Sequence, residues 1–206
     1  IDKPQHIFFI VGESIPQWSL DEPYKDLNIC PGLWDFKDDP HTAQVPNFLP
    51  AGNVSRPSIS SLMSGIYDSG MELNEKEMFW NNTLPTALAA QIKRLGYQTI
   101  YWYGGNSSSG NFTKYGKAQG FDRIENATEF CGPNAPQTWL GVYDHVFLEE
   151  AAKCIVDMEK PTFHFVYTTT NHGPYKLEDK YLDFDARRDL PGVGDDILNR
   201  NDGNKG

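Results

Sequence analysis

Three short segments of this chain are apolar at nearly every position: Ile7-Phe8-Phe9-Ile10-Val11, Thr99-Ile100-Tyr101-Trp102-Tyr103 and Thr162-Phe163-His164-Phe165-Val166-Tyr167. A strand with one wet face alternates polar and apolar residues, so unbroken β-branched and aromatic runs read as strands covered on both faces. Each run stops at small or polar residues: Gly12-Glu13-Ser14, Gly104-Gly105-Asn106, and Thr168 onward to Thr169-Thr170-Asn171-His172. Between the runs lie helical patterns, from Ser58 to Gly65 after Pro57, from Thr83 to Leu95 ended by Gly96, and from Val142 to Met158. In the last, Val142, Val146, Phe147, Cys154, Ile155 and Met158 fall at helical spacing, which places Cys154 on the core face as a buried thiol.

Strands alternating with helices predict an α/β fold with a mainly parallel central sheet covered on both sides. Right-handed crossovers then put ligands beyond the carboxyl ends of the strands, so chemistry is expected at the three polar strand exits. Residues 20 to 50 hold Pro, Asp and aromatic residues without a period and read as a long excursion over that edge. Apolar density drops from about Leu177, so the expected organisation is one domain over residues 1–178 and a polar, flexible tail over 179–206.

Composition narrows the partners. Hydrophobic residues at 39% and aromatics at 13% suffice for a core, which argues against disorder. The formal net charge of -10, with no Lys/Arg run, repels polyanions and excludes nucleic acid as an expected ligand. The longest apolar stretch, Ile7 to Val11, is far short of the ~20 residues needed to cross a bilayer. The opening Ile1-Asp2-Lys3-Pro4 has no signal-peptide pattern, so any export or anchoring segment is expected outside this sequence. Cys30, Cys131 and Cys154 lack metal-type spacing.

The most informative segment is Ser55-Arg56-Pro57-Ser58-Ile59-Ser60-Ser61-Leu62-Met63-Ser64-Gly65. A hydroxyl just before Pro57 sits at the mouth of a helix, where unpaired N–H groups and the helix dipole favour an anion. On residue chemistry alone Ser55 reads either as a helix cap or as a nucleophile. Likewise Glu13 reads as a cap of the next helix or as a cation ligand, and His172 as a solvated loop side chain or a group able to titrate near neutrality. Tyr103-Gly104-Gly105-Asn106 followed by Asn111 reads as a Gly- and Asn-rich turn after a strand.

Taken together, these segments resemble the sulfatase branch of the alkaline phosphatase superfamily. Ser55, Pro57, Ser58, Leu62 and Gly65 stand at the matching positions of its signature Cys/Ser-x-Pro-Ser-Arg-x-x-Leu-Leu-Thr-Gly. Ile59 replaces the signature's Arg, which formylglycine-generating machinery reads, so the resemblance favours an unmodified Ser55 hydroxyl. Ile10-Val11-Gly12-Glu13-Ser14 is similar to the first-strand motif of lipoteichoic acid synthases and phosphoglycerol transferases, in which the Glu binds a divalent metal, usually manganese. Tyr103-Gly104-Gly105-Asn106, Asn111-Phe112 and Gly120-Phe121-Asp122 resemble their substrate-pocket stretch, with Asn106 in place of an acid. Thr170-Asn171-His172-Gly173-Pro174-Tyr175 resembles their Ser-Asn-His-x-Pro-Tyr motif, whose His contacts the transferred group.

The resemblance implies an alkaline-phosphatase-like three-layer α/β sandwich, truncated before its last strands, because the family's Gly-Asp-His-Gly strand does not follow Tyr175 and Gly194-Asp195-Asp196 has no apolar run before it. It implies a metal-dependent phosphoglycerol-type transferase. Glu13 and Ser55 would hold the metal, Mn²⁺ by resemblance, with further ligands beyond residue 206. Ser55 and His172 would be catalytic, and Asn106 and Asn111 would bind substrate. The partners implied are a phospholipid head group and a glycan or polyol acceptor, at an extracytoplasmic location, with a membrane tether in the parent protein. Two alternatives stand beside this reading: a sulfuric ester hydrolase with formylglycine at position 55, and a non-catalytic envelope binding module.

Overall fold

The computed structural model describes residues 3–27, 29–45 and 48–174. The tail expected from residue 179, Tyr175 and the 194–196 segment lie outside the described residues. Contacts divide the chain into two compact units, one of Ile1–Glu13 with Leu49–Thr170, the other of Ser14–Phe48 with Asn171–Gly206.

The first unit carries a parallel sheet in the order β1-β4-β2-β3, formed by β1 (His6–Val11), β2 (Gln98–Tyr103), β3 (Arg123–Asn126) and β4 (Thr162–Tyr167). Val11, Tyr167 and Tyr103 share one row of the register, so three strands exit side by side. The three apolar runs are therefore strands, as their composition predicts. β3 was not expected: Arg-Ile-Glu-Asn is polar at alternate positions because it forms the sheet's edge. β4 is buried throughout. On β1, at the other edge, Phe8 and Ile10 remain 49% and 63% exposed among the described residues, so the expectation of two covered faces fails there.

One face of the sheet packs on α2 (Ser55–Ser64), α3 (Leu88–Arg94) and α4 (Phe112–Ala118) through Ile59, Met63, Ala89, Phe112 and Tyr115 against Tyr101, Tyr103, Phe165 and Tyr167. The other packs on α5 (Ala127–Phe130) and α6 (Asp144–Val156) through Ala127, Phe147 and Ala151 against Ile100, Trp102 and Val166. That is the expected three-layer arrangement. Helix α2 begins a turn earlier than predicted and ends at Gly65, whose φ of 69° is left-handed; a Cβ there would lie 2.6 Å from the Thr86 carbonyl oxygen. Helix α3 is shorter than its pattern: Pro85 keeps Leu84 out of helical geometry, and Ala87, at φ -55° and ψ 127°, is the non-helical N-cap before Leu88.

Cys154 is exposed, which corrects the expectation of a buried thiol. The stripe that packs is Phe147, Ala151 and Ile155, and Cys154 stands in the last turn, beside exposed Val156. Periodicity reports which face points inward; it is silent on how far the covering layer reaches.

In the second unit, α1 (Pro31–Lys37) buries Trp34, with the ammonium groups of Lys25 and Lys37 at 4.9 and 4.1 Å from its ring. The stretch expected to be an excursion thus has local structure of its own. Among the described residues no helix is long and apolar enough to cross a membrane.

One buried group ties three strands together. Trp102 Nε1 donates to His164 Nδ1 at 3.0 Å, so the neutral His164 ring carries its proton on Nε2 and donates it to His6 Nδ1 at 3.1 Å. Burial, reinforced by His6, lowers the His164 pKa to about 4. Between the unfolded value and this one the unfolded chain binds the extra proton, so stability falls as pH drops from 6.5 towards 4. Relative to His164→Gln, which accepts the Trp102 bond without titrating, the wild-type protein is expected to lose ~2 to 3 kcal/mol more between pH 7 and pH 4.5, read from urea midpoints at each pH. Equal losses in the two proteins would refute this.

Candidate active site

The sheet's carboxyl edge assembles the site. Glu13 stands two residues past β1, and its N–H donates to Thr168 Oγ1 at 3.1 Å, which anchors the β1 exit to the β4 exit. Ser55 is the first residue of α2. The N-cap is Val54, without a side-chain cap bond, so the Ser55 hydroxyl does not cap the helix. Instead Ser55 Oγ donates to Glu13 Oε2 at 2.9 Å, and Tyr167 Oη donates to the same oxygen at 2.7 Å.

Tyr167 and Tyr103, the last residues of β4 and β2, stack at 5.3 Å, and Phe112 meets both edge-on. Tyr103 folds back on Gly105 so closely that a Cβ there would lie 2.5 Å from its ring. Gly105 therefore serves packing of this aromatic floor, while Gly104 makes room for Thr169. Burial pushes the Tyr167 hydroxyl well above its usual range; hydrogen bonding with Ser55 opposes this and the Glu13 carboxylate adds to it. Burial likewise raises Tyr103, against a hydrogen bond with Ser109 and with a push from Glu13. Both phenols stay protonated at neutral pH, Tyr167 donating to Glu13, while the mouth of α2 presents unpaired N–H groups to an anion.

Could these residues take a dication? Glu13 and Ser55 present hard oxygen donors side by side, 2.9 Å apart, of the kind a divalent cation takes. They fit as two ligands of a set. Among the described residues no group of three His, Cys, Asp or Glu side chains could hold a metal ion.

The remaining expected residues are placed differently. Asn106 Oδ1 accepts from Ser108 N and Ser108 Oγ, closing a local turn at 3.1 and 2.6 Å. Asn111, at a left-handed φ of 50°, donates through Nδ2 to Glu75 Oε2 at 2.6 Å. Glu75 also lies 3.7 Å from Arg56 Nε, and Arg56 Nη1 meets Glu72 at 3.4 Å, so a carboxylate bridges the residue after Ser55 to Asn111. His172 belongs to the second unit, where its Nδ1 lies 2.7 Å from the Gly173 carbonyl oxygen, the arrangement of a donated hydrogen bond. Of the expected set, then, the structure brings Glu13 and Ser55 into contact. Sequence reasoning named Tyr103 as part of the pocket stretch without giving its side chain a role, and missed Tyr167 and Glu75. The two tyrosines were marked by their place as the last residue of a buried run, directly before a polar exit; Glu75 carried no signal.

Comparison with known proteins agrees with this architecture. The family model described as Sulfatase matches residues 5–201. Lipoteichoic acid synthase from Staphylococcus aureus (strain USA300) is 26% identical over 115 residues, covering 56% of this chain and 17% of that protein, so the chain spans less than a fifth of the length of the curated relatives it matches. Among solved structures, the C-terminal periplasmic domain of EcEptC from Escherichia coli, in complex with Zn, superposes with a TM-score of 0.64 at 17% identity, over 98% of this chain and 55% of that one. The lipoteichoic acid synthase LtaP from Listeria monocytogenes gives 0.61 at 16% identity, over 72% and 36% of the two chains. A protein of the alkaline phosphatase superfamily from Vibrio parahaemolyticus gives 0.52 at 24%, over 63% and 32%. At these identities the structural likenesses speak for the fold.

Proposed function

The chain belongs to the Sulfatase family, within the alkaline phosphatase superfamily fold, and from that premise we propose that it forms the N-terminal part of the catalytic domain of a phosphoglycerol-type transferase. The observation that carries the reading is the Ser55 hydroxyl donating at 2.9 Å to Glu13 at the carboxyl edge of a parallel sheet.

In this reading Ser55 Oγ attacks the phosphorus of a phospholipid head group such as phosphatidylglycerol. Its proton passes to Glu13 Oε2, which already faces it, as the new O–P bond forms and the bond to the diacylglycerol oxygen breaks. Tyr167 holds Glu13 in place through its own O–H bond. His172 protonates the departing diacylglycerol oxygen. An acceptor hydroxyl on a glycan or polyol then attacks the phosphoglyceryl-Ser55 ester, His172 takes its proton, and Glu13 returns the proton to Ser55 as the ester breaks. Asn106 and Asn111 orient the head group; Asn111 does so with the amide atoms that its bond to Glu75 leaves over.

Glu13, through the carboxylate oxygen that does not take the Ser55 proton, and Ser55 would hold a divalent cation, Mn²⁺ in this proposal, which supplies positive charge against the reacting phosphate. Support for a metal in this fold comes from the EcEptC domain solved with Zn. That relative's periplasmic location, together with the lipid donor proposed here, supports an extracytoplasmic domain of a membrane-anchored parent, and the net charge of -10 speaks against a nucleic-acid partner.

The test is a trapped intermediate. The full-length protein, incubated with phosphatidylglycerol and no acceptor and then quenched in acid, should yield the Ser55 peptide carrying one phosphoglyceryl group by mass spectrometry. A formylglycine at position 55 in protein from its native host, with turnover of a sulfate ester, would replace this reading with sulfuric ester hydrolysis. An unmodified Ser55 with no adduct and no turnover of either ester would leave the non-catalytic binding module.

A further inference from the structure

Two neighbouring residues of the short turn Leu73–Glu75 grip two neighbouring residues of the turn Ser109–Asn111. Asn74, fully buried, donates through Nδ2 to the Gly110 carbonyl oxygen at 2.6 Å, and Glu75 Oε2 accepts from Asn111 Nδ2 at 2.6 Å. What they hold is a costly turn, since Gly110 and Asn111 stand in succession in the left-handed region, at φ 58° and 50°. The gripping turn is itself fixed: the N–H groups of Glu72 and Leu73 donate to the Asp68 carboxylate at 2.9 and 2.8 Å.

Both sides of this grip reach the candidate site by direct contact. Glu75 Oε1 lies 3.7 Å from the guanidinium of Arg56, the residue after Ser55. Phe112, the residue after Asn111, meets the rings of Tyr103 and Tyr167 edge-on, and Tyr167 donates to the Glu13 oxygen that also accepts from Ser55.

An ionised carboxylate is acceptor-only, so Glu75 dictates which way the Asn111 amide turns. The amide nitrogen must face Glu75, and Oδ1 is left for a ligand; among the described residues Oδ1 takes no hydrogen bond, and Asn111 is partly exposed. An amide oxygen takes a donor. Glu72 and Glu75 outnumber Arg56 here, which disfavours a phosphate oxygen, and the Arg56 guanidinium disfavours a second cation. A neutral hydroxyl meets both conditions.

We infer that Glu75 is a positioning residue: it sets Asn111 to accept a hydrogen bond from a hydroxyl of the transferred glycerol unit, while the phosphate of that unit lies at the mouth of α2. The inference rests on the phosphoglycerol reading above and adds to it the residue that fixes the choice of head group.

The test compares two ligands that differ only in the glycerol hydroxyls. Calorimetry on the full-length Ser55→Ala protein measures glycerol 1-phosphate against propyl phosphate, and the first should bind ~10-fold more tightly. Glu75→Ala in that background should bring the two within about twofold, whereas Glu75→Gln, whose side-chain carbonyl still accepts from Asn111, should keep a preference of at least about fivefold. The ratio cancels any change in phosphate affinity that a released Arg56 brings to both ligands. Asn111→Gly suits the left-handed backbone and removes the amide; it should also bring the two within about twofold and leave propyl phosphate binding unchanged, so the test does not depend on the folding of Glu75→Ala. A preference absent from the parent protein, surviving either Glu75→Ala or Asn111→Gly, or lost in Glu75→Gln, would overturn the inference. So would tighter binding of ethanolamine phosphate than of glycerol 1-phosphate, since an ammonium would then be the group recognised. Failure of the transferase reading shows elsewhere, as absence of the Ser55 adduct in the wild-type protein, and leaves these affinities measurable.

Discussion

Under the proposed transferase reading, replacing Ser55 with Ala in the full-length protein is expected to lower phosphoglycerol transfer by at least ~10³-fold, and Glu13→Gln by a similar factor, because a hydroxyl and the carboxylate that takes its proton act as one unit. The geometry behind this is a single shared oxygen: Glu13 Oε2 accepts from Ser55 at 2.9 Å and from Tyr167 at 2.7 Å. Gln at position 13 can still accept one such bond but takes no proton and binds a dication weakly. The decisive measurement is the double variant. If the two groups serve one step, it should be no slower than the worse single variant. Losses that multiply, or a Ser55→Ala protein retaining more than about a tenth of wild-type kcat/KM, would remove Ser55 from the role of nucleophile.

The second large effect concerns stability. Asp68 is almost wholly buried, and its carboxylate accepts from Ser60 Oγ at 2.5 Å, Leu73 N at 2.8 Å and Glu72 N at 2.9 Å. Burial pushes its pKa up, but the Ser60 and backbone hydrogen bonds outweigh it and hold the carboxyl below its usual range. Asp68→Ala leaves the N–H groups of Glu72 and Leu73 without their acceptor, while Ser60 Oγ keeps the Arg56 carbonyl at 2.9 Å, and is expected to cost ~2 to 4 kcal/mol, read from the urea midpoint at pH 7. A depressed carboxylate contributes its charge-dependent stability above the unfolded pKa and loses it as pH falls through the folded value. The gap between wild type and Asp68→Asn should therefore shrink as pH drops below about 4. A gap unchanged from pH 7 to pH 3 would show that shape, and not charge, is what Asp68 supplies. The consequence reaches the candidate site, since Asp68 also positions the turn at Glu72 and Leu73 that carries Glu72 and Glu75 to Arg56.

How far could residues be read without coordinates? The strands were legible because burial on both faces leaves unbroken apolar runs, and β3 was not, because an edge strand of four residues needs no such run. Cys154 was misread because spacing defines an angle around a helix axis and nothing about the extent of the covering sheet. Glu13 and Ser55, 42 positions apart, were paired from motifs whose residue types suit one cation and one phosphate. Tyr167 escaped notice, since an aromatic at the end of a core strand reads as packing until its hydroxyl is seen at Glu13.

Local patterning by itself determined the parallel α/β class, the polar strand exits and the hydroxyl at the head of α2, because those follow from periodicity, turn residues and the chemistry of helix ends. Only the tertiary structure decided that Ser55 serves Glu13 and not its own helix, and that Tyr167 joins them. Both depend on the side-by-side register of β1, β4 and β2, a long-range pairing that no short window of residues encodes.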